Sequence, residues 1–157
     1  MNMETDNKKL NITLDNTVFI TTEISKEDKD KVCSRLYNHN LKSTNGLLQK
    51  PDAHINLCLK DKDITIGAIL CDTFNYCMYI DVLWIDEKYR GYGYGKELIY
   101  QAERIAKDSG CIFSHTSTFS YQSPDFYQAC GYEVFAKLDN YPDNIIQYFL
   151  RKTFKNE

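Results

Sequence analysis

Long apolar runs, clustered positive charge and an apolar leader are all missing from this 157-residue sequence. The longest apolar run, residues 66–71, is far shorter than the ~20 residues that a membrane-spanning helix needs. The opening stretch is polar, unlike a secretory signal. Lysine and arginine total 19 against 22 acidic residues, which argues against the basic surface of a nucleic-acid-binding protein. We expect a cytoplasmic protein that binds neither membranes nor nucleic acids.

A metal-binding pattern is missing as well. None of the six cysteines forms a C-x-x-C pair, and the three histidines have no regular spacing to cysteines or carboxylates. Without a secretory segment, the cysteines are expected to be reduced and to pack as small apolar side chains. We therefore predict no metal site.

The sequence alternates between strand-like and helical periodicity. No internal repeat and no linker-like tract divides it, so residues 17–157 are predicted to form one domain after a flexible N-terminal segment, residues 1–16. Helical spacing follows an N-cap at Ser25, begins again at Gly95 and returns briefly at Pro124. This order predicts an α+β (mixed α/β) domain. Strand-like segments lie at residues 17–22, 55–60, 64–71, 76–85, 111–118, 132–138 and 145–152.

Three of the seven glycines lie within five residues, where a predicted strand passes into a predicted helix. Gly91, Gly93 and Gly95 would let the backbone approach a ligand closely, and the first N–H groups of the helix would point at it. The helix dipole and the flanking Arg90 and Lys96 add positive charge. The pattern favours a phosphate or pyrophosphate site over a turn that only needs flexible residues.

Common nucleotide-binding motifs do not fit this glycine-rich loop. A P-loop requires a glycine five residues before Gly95 and a serine or threonine after Lys96, but the sequence has Arg90 and Glu97 there. Dinucleotide and protein-kinase motifs require a glycine where Lys96 stands. A nucleotide phosphotransferase is therefore disfavoured.

The loop does match R-x-x-G-x-G, through Arg90, Gly93 and Gly95, and a second block, F-Y-x-x-x-G-Y, occupies residues 126–132. With these two motifs the sequence resembles the GNAT superfamily of acyl-CoA-dependent N-acetyltransferases from about residue 17 to the C-terminus. The resemblance implies a GNAT-like fold, in which a central, mostly antiparallel twisted sheet of about six to seven strands is flanked by helices. Two neighbouring strands would splay apart at the cofactor site.

The resemblance also implies acetyl-CoA as the acyl donor, held mainly by main-chain groups. Its pantetheine arm would pair with the strand before the loop, at Leu83, Trp84 and Ile85. Ser120 stands where many members of the family carry an asparagine that contacts the cofactor arm. The pyrophosphate would be bound by Arg90, Gly91, Tyr92, Gly93, Tyr94, Gly95 and Lys96.

Tyr127 matches the tyrosine that donates a proton to the departing CoA thiolate in many members of the family. A phenol is a suitable acid for a thiolate, and the position within the motif favours this role over that of one aromatic core residue among 12 tyrosines. Asp81 is the candidate general base, because it interrupts an apolar strand and burial tunes a carboxylate for proton transfer. A structural role for Asp81 is an equal alternative, while His115 is a weaker base candidate and Cys130 is expected to pack.

These observations predict an N-acetyltransferase that moves an acetyl group from acetyl-CoA to a primary amine by direct attack. A catalytically silent acyl-CoA-binding or sensing domain is the alternative, since it would share the loop and differ only on the acceptor side. The acceptor, a small-molecule or peptide amine, is left open, and the oligomeric state is left open between a monomer and a homodimer. The acceptor is expected to contact residues 38–52 and the turn at residues 139–144.

Overall fold

Strands and helices make up most of residues 10–47 and 53–154, which are the residues that the computed structural model of the protein describes. The chain divides into two units, Met1–Leu48 and Gln49–Glu157. No helix within the described ranges is long and apolar enough to cross a membrane.

The first unit contains a strand pair and a helix. Strands β1 (Asn11–Thr13) and β2 (Phe19–Thr21) pair antiparallel around a turn in which the Leu14 N–H donates to the Val18 carbonyl at 2.8 Å. The strand predicted at residues 17–22 is therefore shorter and belongs to a separate two-stranded sheet. Helix α1 (Lys26–Ser43) begins after the predicted N-cap Ser25, whose Oγ accepts from the Asp28 N–H at 3.0 Å. Of the segment 1–16, residues 1–9 lie outside the described residues.

The second unit is a six-stranded mixed sheet in the order β3-β4-β5-β6-β8-β7. All neighbouring strands are antiparallel except β5 and β6, which are parallel. This arrangement confirms the predicted α+β fold with a mostly antiparallel sheet flanked by helices. The elements are β3 (Ala53–Asp61), β4 (Ile64–Phe74), β5 (Cys77–Ile85), α2 (Tyr94–Asp108), β6 (Phe113–Phe119), α3 (Pro124–Ala129), β7 (Glu133–Leu138) and β8 (Gln147–Thr153).

Helix α2 covers one face of β3, β4 and β5. Its apolar side chains recur at helical spacing, which is the pattern that produced the helix prediction. Leu98, Ile99, Ala102 and Ala106 are buried against the sheet, whereas Ile105 is exposed. Apolar residues alternate along β3 and β4, so that one side of each strand faces this core. The most deeply buried members of the core are Ile69, Met78, Ile80, Ile99, Ala102 and Leu150.

A buried polar network joins helix α2 to the strands behind it. The Tyr132 hydroxyl donates to Glu103 Oε1 at 3.0 Å and lies 2.6 Å from Ser114 Oγ, which therefore donates to it. Lys152 Nζ lies 2.6 Å from the same carboxylate, which is almost fully buried. Burial raises the pKa of Tyr132, so this hydroxyl stays protonated and can donate. The network fixes the start of β7 relative to α2.

Candidate active site

The two parallel central strands, β5 and β6, separate halfway along their length. Their pairing runs from Cys77 opposite Phe113 to Ile80 opposite Thr116, where the Thr116 hydroxyl donates to the Ile80 carbonyl at 3.0 Å. Beyond this point β5 continues for five residues and β6 for three, without pairing to each other. The predicted splay is confirmed, and it leaves backbone groups available for a ligand.

Alternate residues of β5 direct their backbone N–H and C=O groups toward the edge that β6 no longer covers. The Asp86 N–H donates to the Ile66 carbonyl at 2.9 Å, toward β4. Because backbone groups alternate in direction along a strand, Leu83 and Ile85 direct theirs to the opposite side, where β6 has diverged. The Arg90 Nε donates to the Ile85 carbonyl at 3.0 Å from that side. The main chain at Leu83 is therefore the open pairing position.

Asp81 occupies a β-bulge at the point of divergence. Leu70 pairs with Val82 and Cys71 with Ile80, so Asp81 is the extra residue in β5. Bulges of this kind re-aim side chains next to active sites. The expected burial of Asp81 is wrong, because its side chain is exposed where the strands part. None of the ion pairs between described residues involves it.

The glycine-rich loop leads into helix α2 with two glycines in left-handed backbone. Gly91 has φ 83° and Gly93, the N-cap residue, has φ 85°. A Cβ at either position would meet nothing within 4 Å, so both backbones border open space. Since no side chain caps the helix, its first N–H groups are available to an anion.

Gly95 has a different role from the other two loop glycines. It lies inside helix α2, and a Cβ there would stand 3.2 Å from Cζ of the Phe126 ring. Glycine at this position lets α2 and α3 approach each other. Gly91 and Gly93 therefore border open space, whereas Gly95 determines how closely α2 packs on α3.

Tyr127 is held in helix α3, which begins with Pro124 at a first-turn position. Its side chain is buried, and its ring packs edge-on against Phe126 and Tyr132 at 5.4 and 5.9 Å between centroids. Burial raises the pKa of Tyr127, while the hydroxyl of Thr116 acts in the opposite direction. The phenol is therefore protonated at neutral pH and able to donate.

A cavity of about 850 Å³ connects these features within the second unit. Asp81, Leu83, Trp84 and Ile85 line it from β5, and Tyr127 lines it from α3. Six of the seven predicted loop residues line it too. They are Arg90, Gly91, Gly93, Tyr94, Gly95 and Lys96.

Two predicted cofactor residues do not line the cavity. Tyr92 is exposed and stacks on Tyr94, with 6.0 Å between the ring centroids. The Ser120 hydroxyl accepts from the Ile146 N–H at 3.2 Å, so it ties β6 to the chain before β8. The first contact is local to the loop, whereas the second is a tertiary contact that a linear motif does not contain.

The cavity also has a polar wall that the motifs did not indicate. It is formed by the end of β6 and the turn before α3, and Gln122 Oε1 there accepts from the Thr118 hydroxyl at 3.1 Å. The position of the turn directly before the F-Y motif is the signal that could have found it. The residues of this wall are Ser117, Thr118, Tyr121, Gln122 and Ser123.

The weaker candidates lie elsewhere. His115 packs among Phe74, Tyr79 and Phe113, outside the cavity lining, and burial lowers its pKa. Cys130 is buried, and burial raises the pKa of its thiol, which disfavours a nucleophilic thiolate. Within residues 10–47 and 53–154, no three His, Cys, Asp or Glu side chains are grouped to hold a metal ion.

Comparison with known proteins agrees with this geometry. The Acetyltransferase (GNAT) family model matches residues 20–132. A Blasticidin-S acetyltransferase of Streptomyces morookaense is 41% identical over 76 residues, which cover 48% of this chain and 56% of that protein, so the chain spans little more than half of this relative's length. An acetyltransferase crystal structure from Bacillus cereus superposes with a TM-score of 0.75 at 27% identity, covering 84% of this chain and 95% of that one.

A further solved structure matches the fold with a ligand bound. It is a Bacillus anthracis str. Ames protein assigned as a streptothricin acetyltransferase, in complex with acetyl coenzyme A. It is 24% identical, with a TM-score of 0.60 over 71% of this chain and 68% of that one. The family match extends from strand β2 to Tyr132 and includes the splayed strands, the glycine-rich loop and Tyr127. The chain belongs to the GNAT acetyltransferase family.

Proposed function

We propose that the chain transfers an acetyl group from acetyl-CoA to a primary amine, with Tyr127 as the general acid. The observation that carries this proposal is the splay of β5 from β6. It opens one cavity that is lined by an unpaired strand edge, a helix N-terminus with two open glycines and a buried, protonated phenol. These are the three groups that an acyl-CoA thioester needs: a pairing edge, a pyrophosphate cradle and an acid.

The residues at the loop end of the cavity suit the anionic part of acetyl-CoA. Arg90 and Lys96 supply positive charge, and the N–H groups at the start of α2 supply oriented donors. The open main-chain position at Leu83 suits the amide groups of a pantetheine arm. Ile85 is less available for such pairing, because its carbonyl already accepts a hydrogen bond from Arg90 Nε.

In this proposal Tyr127 completes the transfer. When the amine nitrogen bonds to the thioester carbon, the carbon–sulfur bond breaks and the sulfur leaves with its electron pair. The phenol then donates its proton to that sulfur, which a buried tyrosine with a raised pKa can do because it holds its proton at neutral pH. No covalent enzyme intermediate is needed.

The amine must be neutral when it attacks, so an ammonium proton first leaves to a base or to water. After the attack the nitrogen releases a second proton by the same route, and a proton from the solvent restores the Tyr127 phenol. Asp81 lines the cavity and stays a candidate for this role. Because Asp81 is exposed, it lacks the burial that was expected to suit it to the role of a base. The exposure of Asp81 therefore favours solvent, as the alternative to Asp81, for removal of the proton.

Release of CoA thiol in the presence of acetyl-CoA and a broad panel of amines tests the proposal. Blasticidin S belongs in the panel, because a relative that is 41% identical over its matched segment is named for it. Turnover with any amine supports the transferase. Binding of acetyl-CoA without turnover across the panel supports the silent binding domain instead, and preference for ATP over acetyl-CoA contradicts both.

A further inference from the structure

Charges of opposite sign lie at opposite ends of the cavity. Arg90 and Lys96 are at the glycine-rich loop, and Asp81 is the one carboxylate among the described residues that line the cavity. Asp81 precedes Ile85 by four strand residues, which corresponds to about 13 Å, and Ile85 is the residue whose carbonyl Arg90 contacts. Since charges in water are screened over ~8 Å, the cations at the loop neutralise Asp81 only weakly.

The surroundings of Asp81 favour a positive charge. The carboxylate forms no ion pair with the described residues, so its oxygens are available to a ligand. Trp84, on the same strand, lines the cavity with half of its surface exposed. An indole face attracts cations more strongly than any other side-chain ring. The carboxylate and the indole line the same cavity three strand residues apart, and each of them attracts a cation and disfavours an anion.

The attacking nitrogen itself cannot be that cation, because it must lose its proton before it reacts. A carboxylate paired with the reacting ammonium group would hold it in its unreactive form. A carboxylate that binds a second group keeps its partner throughout the reaction and orients the acceptor. Its exposed position suits this role better than the role of a base.

We propose that the acceptor carries, besides the amine that is acetylated, a second positively charged group that Asp81 binds. This inference rests on the proposed acetyltransferase function. It narrows the open set of amines to dications and polycations, and it makes Asp81 a specificity-determining residue.

Matched pairs of acceptors test it through release of CoA thiol at saturating acetyl-CoA. One rigid pair is 4-(aminomethyl)benzylamine and 4-methylbenzylamine, and one flexible pair is 1,5-diaminopentane and hexylamine. Each pair differs by one positive charge at nearly constant size. In the wild type we expect kcat/KM to be about tenfold higher for the diamine. In Asp81→Asn this ratio should fall, through an increase in KM, toward two, which is the statistical value for a symmetric diamine with two equivalent amines.

Asp72→Asn is the matched control. Asp72 is an exposed carboxylate on β4 that contacts His54 and does not line the cavity. This variant removes the same charge from the same sheet, so its diamine-to-monoamine ratio should stay at the wild-type value. An equal fall in both variants would mean that only net charge matters, and would overturn the inference.

Three other outcomes also overturn it. A wild-type ratio of two or less shows that the second charge is not recognised, because a symmetric diamine offers two equivalent amines. A fall in kcat that is equal for both members of a pair in Asp81→Asn shows that Asp81 is a base. Turnover confined to acceptors with one positive charge contradicts the dication class directly. Absence of thiol release with every amine, diamines and panel alike, instead contradicts the proposed acetyltransferase function, and the inference falls with it.

Discussion

Two neighbouring tyrosines show how position decides what a phenol can do. The rings of Tyr127 and Tyr132 are 5.9 Å apart and nearly perpendicular, and both are buried. The Tyr132 hydroxyl is bonded to Glu103 and Ser114 inside the protein, whereas Tyr127 lines the cavity. The first hydroxyl is therefore engaged by the fold, whereas the second, which interacts with Thr116, belongs to a cavity-lining residue, as the proposed acid requires.

Replacing Tyr127 with Phe should lower kcat by tens of fold or more, because general acid catalysis contributes ~10²–10⁴-fold. The ring and its packing remain, so acetyl-CoA affinity should be nearly unchanged. Steady-state release of CoA thiol and calorimetric titration with acetyl-CoA measure the two quantities.

Tyr132→Phe is the control for this experiment. It deletes a buried hydroxyl that has two partners, so we expect the free energy of unfolding to fall by about 1–3 kcal/mol with little change in kcat. If both variants retain wild-type turnover, Tyr127 is a core residue and the acid must be sought elsewhere.

Helix α2 begins and ends at glycines in the same backbone conformation. Gly93, the N-cap residue, has φ 85°, and Gly110, which follows the C-cap residue Ser109, has φ 88°. A left-handed conformation costs other residues about 1–2 kcal/mol. The two ends are therefore equivalent in backbone strain and differ in their surroundings, because only Gly93 lines the cavity.

Gly93→Ala should weaken acetyl-CoA binding by at least tenfold, or ~1.4 kcal/mol, because the added methyl group projects into the space proposed for the pyrophosphate. Gly110→Ala carries the same strain at the far end of the helix and should bind acetyl-CoA normally. Titration calorimetry on both folded variants measures the difference. Equal affinities would exclude the glycine-rich loop as the cradle.

Strand β8 places two consecutive cations in opposite environments. Lys152 pairs with the buried Glu103, while Arg151 pairs with Glu133 on the exposed side. Lys152→Met should cost about 3 kcal/mol or more, because it leaves a buried carboxylate without its partner. Arg151→Met should cost less than about 1 kcal/mol, as is usual for surface pairs. Urea unfolding measures both, and equal losses would contradict the burial of the Glu103 network.

Buried thiols make the whole molecule sensitive to alkaline pH. Burial raises the pKa of Cys71 and of Cys77 from 9.0 to about 12. Between these values the unfolded chain releases protons that the folded protein retains, so ionisation favours unfolding. This contribution to stability is complete below about pH 9 and is lost as the pH rises toward 12.

Urea unfolding under reducing conditions should therefore show a loss of roughly 2–4 kcal/mol between pH 8 and pH 10.5, at up to about 1.4 kcal/mol per pH unit for each shielded thiol. Substituting both Cys71 and Cys77 by alanine should reduce this dependence strongly and leave only the smaller part due to other buried groups with raised pKa values, such as Cys130. Cys33→Ala, which removes an exposed thiol, should leave it intact. A flat profile in the wild type would show that the two thiols are accessible to water.

Local patterns were sufficient for both motifs and for most elements, although not for β1, which lies in the segment expected to be flexible. Alternation predicted the strands, helical spacing predicted α2, and Ser25 was recognised as a helix cap because capping involves neighbours in the chain. Nine of the ten residues predicted for the loop and the strand before it line one cavity, since those residues are consecutive or nearly so in the chain.

Contacts between distant segments decided the rest. The bulge that exposes Asp81 arises where β5 pairs with β4. The hydrogen bond from the Ile146 N–H to the Ser120 hydroxyl joins residues 26 positions apart. The packing of Gly95 on Phe126 and the polar wall around Gln122 likewise need two elements to meet. Sequence periodicity reports which residues share a face of one element. Periodicity does not indicate which face of another element these residues pack against. The burial of a side chain, its exposure and the access of a ligand depend on that packing.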